Sequence, residues 1–126
     1  FRHDVDTGLR EHISRHRGIA ERFQTAAWEG RVLGFPPEPS WVRVPCGPGW
    51  ALVGDAGLHQ DPWSGQGIDC ASRHASFLAD ALLDWFSGRA AEADALATFH
   101  IRRNEHGLPR YHETQQFAPD LRTMTE

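Results

Sequence analysis

Within residues 54–69, GDAGLHQDPWSGQGID, the carboxylate of Asp55 comes just after an apolar run and glycines crowd around it. Once ionised, Asp55 is only an acceptor, suited to the hydroxyls of a sugar or sugar alcohol and poorly suited to phosphate. Gly54, Gly65 and Gly67 lack the Cβ that would hold a ligand off the backbone, and glycine tolerates positive φ. Gly67 and Ile68 open a helical pattern. A helix N-terminus carries about half a positive charge, which favours an anionic or electron-rich group. The stretch therefore asks for hydroxyls near Asp55 and an electron-accepting group near Gly67 and Ile68. A flavin nucleotide meets both requirements.

Other chemistry has weaker support. His12 and His16 stand at i, i+4 beside Glu11, like half a zinc site, but no HExxH and no third ligand accompany them, so a solvated helix face is expected. His100, His106 and His112 step by six, which scatters them around a helix. No G-x-S-x-G elbow supports hydrolase chemistry. His59 is expected to hydrogen-bond its loop neighbours. Arg102 and Arg103 are read as surface charges, a contact to a redox partner or pyridine nucleotide being the alternative. Trp41, Trp50 and Trp85 are expected in the core or an interface, and Trp63, beside Pro62, either there or bordering the ligand.

The elements that must position these residues follow from periodicity. Trp50-Ala51-Leu52-Val53 is apolar on both faces and predicts a buried central strand. Asp55 would then stand at its carboxyl edge, where open α/β sheets bind ligands. Ile68, Ala71, Ala75, Leu78, Leu82 and Trp85 predict an amphipathic helix over residues 68–87, stopped by Gly88. A second helix begins near residue 90 with Ala95, Leu96 and Phe99 facing inward, and Gly107 and Pro109 should kink or break it. Upstream, residues 6–27 read as two helical pieces interrupted at Gly18, with Asp6 or Thr7 as N-cap. RVLGF and WVRVP read as strands, PPEPS and CGPG as turns.

The 126 residues, 40% hydrophobic and 24% charged, amount to one soluble domain. A net charge of -4 gives no reason to expect nucleic acid or anionic membrane as partner. No apolar stretch approaches the ~20 residues of a membrane span. Two isolated cysteines, Cys46 and Cys70, suit a reducing interior, so a cytoplasmic location is expected. Every basic residue is arginine, a coding bias that speaks of source rather than function.

GDAGLHQDPWSGQGI resembles the second flavin motif, roughly G-D-A-x-H-x-x-x-P-x-x-G-Q-G, of FAD-dependent aromatic hydroxylases and related single-component flavoprotein monooxygenases. The flanks GPGWALVGDAG and ASRHASFLADALLDWFSGR look like the strand and helix around that motif in a bacterial branch of the family. The resemblance runs from about residue 30 to about residue 116. It implies an α/β fragment, predominantly helical with a few short strands, forming the C-terminal part of a glutathione-reductase-like FAD-binding fold. Residues 1–46 would end a substrate-binding region, and residues 47–126 would complete the FAD-binding domain. It also implies roles within the Gly54 turn and beyond. Asp55 would hold the ribityl hydroxyls, and Pro62 would lie beside the isoalloxazine ring. Gly65, Gln66, Gly67 and Ile68 would offer backbone N–H groups to the flavin N1/C2=O edge.

Such enzymes reduce FAD with NAD(P)H and pass one oxygen atom of O2 to a small organic substrate; some relatives halogenate or reduce carbon–carbon double bonds. Many family members carry asparagine where Asp69 stands, so Asp69 is expected to point away from the ring. The G-x-G-x-x-G fingerprint for the ADP half of FAD is absent. The chain is thus expected to be a C-terminal portion, inactive without an N-terminal dinucleotide-binding part. A non-catalytic, self-associating module is the reading from a different class.

Overall fold

The computed structural model describes residues 4–33 and 39–121. By packing, the chain divides into two compact units, Phe1–Pro37 and Glu38–Glu126. In the first, α1 (Val5–Ser14) is capped by Asp4, whose carboxylate accepts from Thr7 N at 3.1 Å and from Thr7 Oγ1 at 2.6 Å. Asp6 and Thr7 already lie inside the helix, so the cap sits earlier than the sequence suggests. Asp6 pairs instead with Arg10, one turn on. The break before α2 (Arg17–Phe23) falls at Arg15 and His16, whose amides bond back to His12 and Ile13 in tightened three-residue turns. Gly18, expected as the interruption, is helical. Residues 31–33 of the expected RVLGF strand are not in a strand; the rest of it, and most of PPEPS, lies outside the described residues.

The second unit is built on two long helices joined by residues 87–91: α3 (Gly67–Phe86) and α4 (Glu92–Leu121). The short connection makes them antiparallel neighbours, and the ring and ion pairs Asp80–Arg102 and His74–His106 run in that sense. Gly88, at φ +74°, ends α3 as expected. Its amide bonds to Trp85 O and that of Arg89 to Asp84 O, the paired bonds of a Schellman stop. Ala95, Leu96 and Phe99 are buried as predicted, and Ala81, Ala95 and Phe99 form the core with Phe77, Leu78 and Trp85 half-buried against it.

Three expectations for these helices need correction. The buried line of α3 is Cys70, His74 and Ala81, rotated by about one residue from the apolar stripe, so Ile68 is 85% exposed. A histidine at the centre of the stripe hid its phase. Second, α4 runs unbroken through Gly107 and Pro109. Pro109 removes one amide and leaves the Glu105 carbonyl without its helical donor, but both residues are exposed, where water can serve that oxygen. Gly107 is a packing glycine rather than a breaker. A Cβ there would lie 2.7 Å from Leu58 Cδ1 and 3.2 Å from His74 Nε2. Gly107→Val is expected to cost about 1–3 kcal/mol through overpacking, measured as a lower urea midpoint at unchanged slope. Third, Arg103 is no surface charge; it is 1% exposed.

The strands are minimal. β1 (Trp41–Val42) pairs antiparallel with β4 (Leu58–His59), and β2 (Cys46–Gly47) with β3 (Trp50–Ala51). The expected central strand at Trp50 is therefore one arm of a tight hairpin. Gly49, at φ +78°, turns the chain back at Pro48-Gly49, and the Trp50 ring lies over Gly47. Trp50 is 48% exposed, and Val53 is exposed too. The described part of the molecule is mostly helical with a few short strands.

Candidate functional site

Asp55 stands on a 3-10 turn, Gly54–Ala56, that follows β3. Gly54 has φ +57°, and a Cβ on it would come within 3.2 Å of Ala71 Cβ. Glycine is thus required twice over, by conformation and by close approach, and the result is a turn seated against the N-terminal part of α3. The Asp55 side chain is 68% exposed and faces away from the core. Its backbone carbonyl accepts from Trp41 Nε1 at 3.0 Å, and its Oδ2 lies 3.4 Å from His59 Nδ1. Trp41 and His59 stack at 4.4 Å between centroids, 27° apart in plane. Arg43 donates from Nη1 to Ala56 O at 2.9 Å and lies over the Trp41 ring. His59 thus lies against Asp55 and Trp41.

The chain then returns to α3 through a second 3-10 turn, Pro62–Ser64, which begins at the Asp61 side chain accepting from Trp63 N at 3.1 Å. Pro62 is exposed at its start. Gly65 closes the turn at φ +66°, with its amide bonded to Pro62 O at 2.9 Å. That N–H is committed to the turn. Gln66 is the N-cap of α3 and supplies no side-chain cap bond. The amides of the first helical turn, at Gly67, Ile68 and Asp69, therefore have no intrahelical acceptor. A Cβ on Gly65 or Gly67 would meet nothing within 4 Å, so nothing crowds the Cβ side of those residues. Asp69 turns toward its own helix and α4: its carboxylate oxygens lie 3.8 Å from Arg73 Nε and 3.8 Å from His106 Nε2. Trp63 is anchored on α4, its Nε1 donating to Thr114 O at 3.4 Å and its ring edge-on to Phe117.

No family model, curated protein or solved structure matches the chain.

Beneath the loop lies a polar layer that the sequence pattern does not reveal. His74 is 1% exposed, and burial first, then the neighbouring His106 and Arg103, holds its pKa down at about 4. Burial also lowers the pKa of His106, against the pull of Asp69. Arg103 donates from Nη2 to the Arg43 carbonyl, and its burial disfavours the cation. Arg102, one position earlier, does behave as a surface charge, paired with Asp80 at 2.8 Å over the Phe77 ring. Cys46 and Cys70 are free thiols whose pKa values burial raises. Among the described residues no group of three His, Cys, Asp or Glu side chains could hold a metal ion. No helix among them is long and apolar enough to cross a membrane.

Proposed function

We propose that this chain supplies the ribityl and ring side of an FAD site in an NAD(P)H- and O2-using monooxygenase acting on a small organic molecule. In this reading it is the C-terminal portion of a glutathione-reductase-like FAD-binding fold. The observation that carries the proposal is a juxtaposition. An outward carboxylate, Asp55, sits on a turn seated against α3, whose first-turn amides have no side-chain cap and belong to exposed residues.

The residues present fit the group. Asp55 is placed to accept hydrogen bonds from polyol hydroxyls. Gly67 and Ile68 offer amides to a carbonyl edge, and the dipole of a twenty-residue helix favours negative charge on a reduced ring. Gly65 drops out of the donor set, since its amide is taken by Pro62, and it serves by its open, Cβ-free surface. The exposed Ile68 and Pro62 give a flat ring apolar neighbours and keep water from its edge. The Asp69 carboxylate lies toward Arg73 and His106. When bound, FAD supplies the redox centre between nicotinamide, oxygen and substrate.

The full-length polypeptide carrying this segment should purify yellow or take up FAD. Asp55→Ala should weaken FAD binding roughly ten- to hundredfold, the value of hydrogen bonds to a charged group, measured by flavin fluorescence titration. A polypeptide that stays colourless after FAD is added would overturn the proposal.

A further inference from the structure

Asp55 lies on a three-residue turn with an exposed side chain, and such a turn alone does little to fix a carboxylate. Two aromatic side chains hold it from different directions. Trp41, in β1, donates its indole N–H to the Asp55 carbonyl at 3.0 Å, across fourteen positions of sequence. His59, in β4, sets Nδ1 3.4 Å from Oδ2 of the same residue. These two rings are stacked on each other, 4.4 Å apart, because Trp41 and His59 are directly opposed in the β1–β4 pair. One ring fixes the backbone of Asp55, the other its side chain, and the stack couples them. Arg43 closes the assembly by holding the next carbonyl, Ala56 O, from above the Trp41 ring.

We infer that Trp41 and His59 are positioning residues for Asp55, and that the two-residue β1–β4 ribbon exists at this point to aim one carboxylate oxygen at a polyol. The inference rests on the flavin reading of the site. Its physical content is preorganisation: a carboxylate already held in place loses less freedom when it captures hydroxyls. Both side chains act through Asp55 and not on the ligand directly.

The test measures FAD affinity in the full-length polypeptide. Trp41→Phe keeps a ring over His59 and removes the N–H, whereas His59→Phe keeps the stack and removes the nitrogen. Each should weaken FAD binding about three- to tenfold, the worth of one hydrogen bond. His59→Asn, which returns a donor near the Nδ1 position without the stacked ring, should recover part of the affinity that His59→Phe loses. In an Asp55→Ala background neither change should weaken binding further, because the group they position is gone. Equal losses with and without Asp55, or no loss in either single variant, would overturn the inference and leave the flavin reading standing. If Trp41→Phe fails to fold, the His59 pair decides alone. Failure of the unmodified polypeptide to bind FAD would overturn the flavin reading and this inference with it.

Discussion

Phe99→Ala is expected to lower the free energy of unfolding by about 3–5 kcal/mol, the usual range for deleting a buried aromatic ring. Phe99 is 0% exposed and lies between Ala81 of α3 and Ala95 of its own helix. Ala81 and Ala95 share its buried cluster, and Phe77, Leu78 and Trp85 pack against it half-buried. Against a total stability of about 5–15 kcal/mol for a domain, that is a large fraction. Phe86→Ala, on an exposed position of α3, is the control and should stay within about 0.5 kcal/mol. Urea unfolding followed by far-UV circular dichroism gives both values, and a Phe99→Ala cost as small as the control would refute the packing described here.

The second large effect is loss of stability in mild acid. His74 is held neutral in the fold, with a pKa of about 4 against an ordinary value of 6.5. Above pH 6.5 the histidine is neutral folded or unfolded, and it contributes no pH dependence. Between 6.5 and about 4 the unfolded chain binds the proton and the folded one does not, so stability falls as pH falls. Below about 4 both states are protonated and the loss levels off. A shift of this size corresponds to at most about 3 kcal/mol. The groups facing His74 explain the direction: His106, Arg103 and Arg110 of α4 all oppose a positive charge, and only Asp69 favours it. His106 shifts the same way and adds to the slope. His74→Leu should flatten the decline across this window, and identical pH profiles for the two proteins would sink the assignment.

How much of this was legible in the sequence depends on the range of the interaction responsible. The Gly88 stop and the inward face of Ala95, Leu96 and Phe99 are set by neighbours within a turn or two, and periodicity finds them. The open amides at Gly67 and Ile68 and the outward Asp55 were likewise foreseeable, since glycine spacing and a helix start are local features. Some misses were local: the Gly65 amide closes its own turn, and α1 is capped at Asp4. The larger ones were long-range. Gly107 and Pro109 look like breakers, but the first makes room for Leu58 and His74, and helix–helix packing carries α4 past the second. Arg103 reads as surface because buried guanidinium groups are rare, and only the fold brings the Arg43 carbonyl to it. Trp50 reads as a strand core because a four-residue apolar run cannot reveal that Gly49 doubles it back. Trp41 was expected in the core or an interface, and no local pattern in the sequence ties it to Asp55.

The proline in α4 reaches back to the loop. Without an amide at position 109, residues 110–121 are tied to the first half of the helix by one bond fewer, and a piece that short is marginal by itself in water. Its described anchors to the loop are the Thr114 carbonyl and the Phe117 ring, both against Trp63. Unwinding of this helix end therefore releases the indole next to Pro62 without disturbing Phe99. Opening of this stretch and of the Pro62–Ser64 turn is thus expected to be coupled through Trp63.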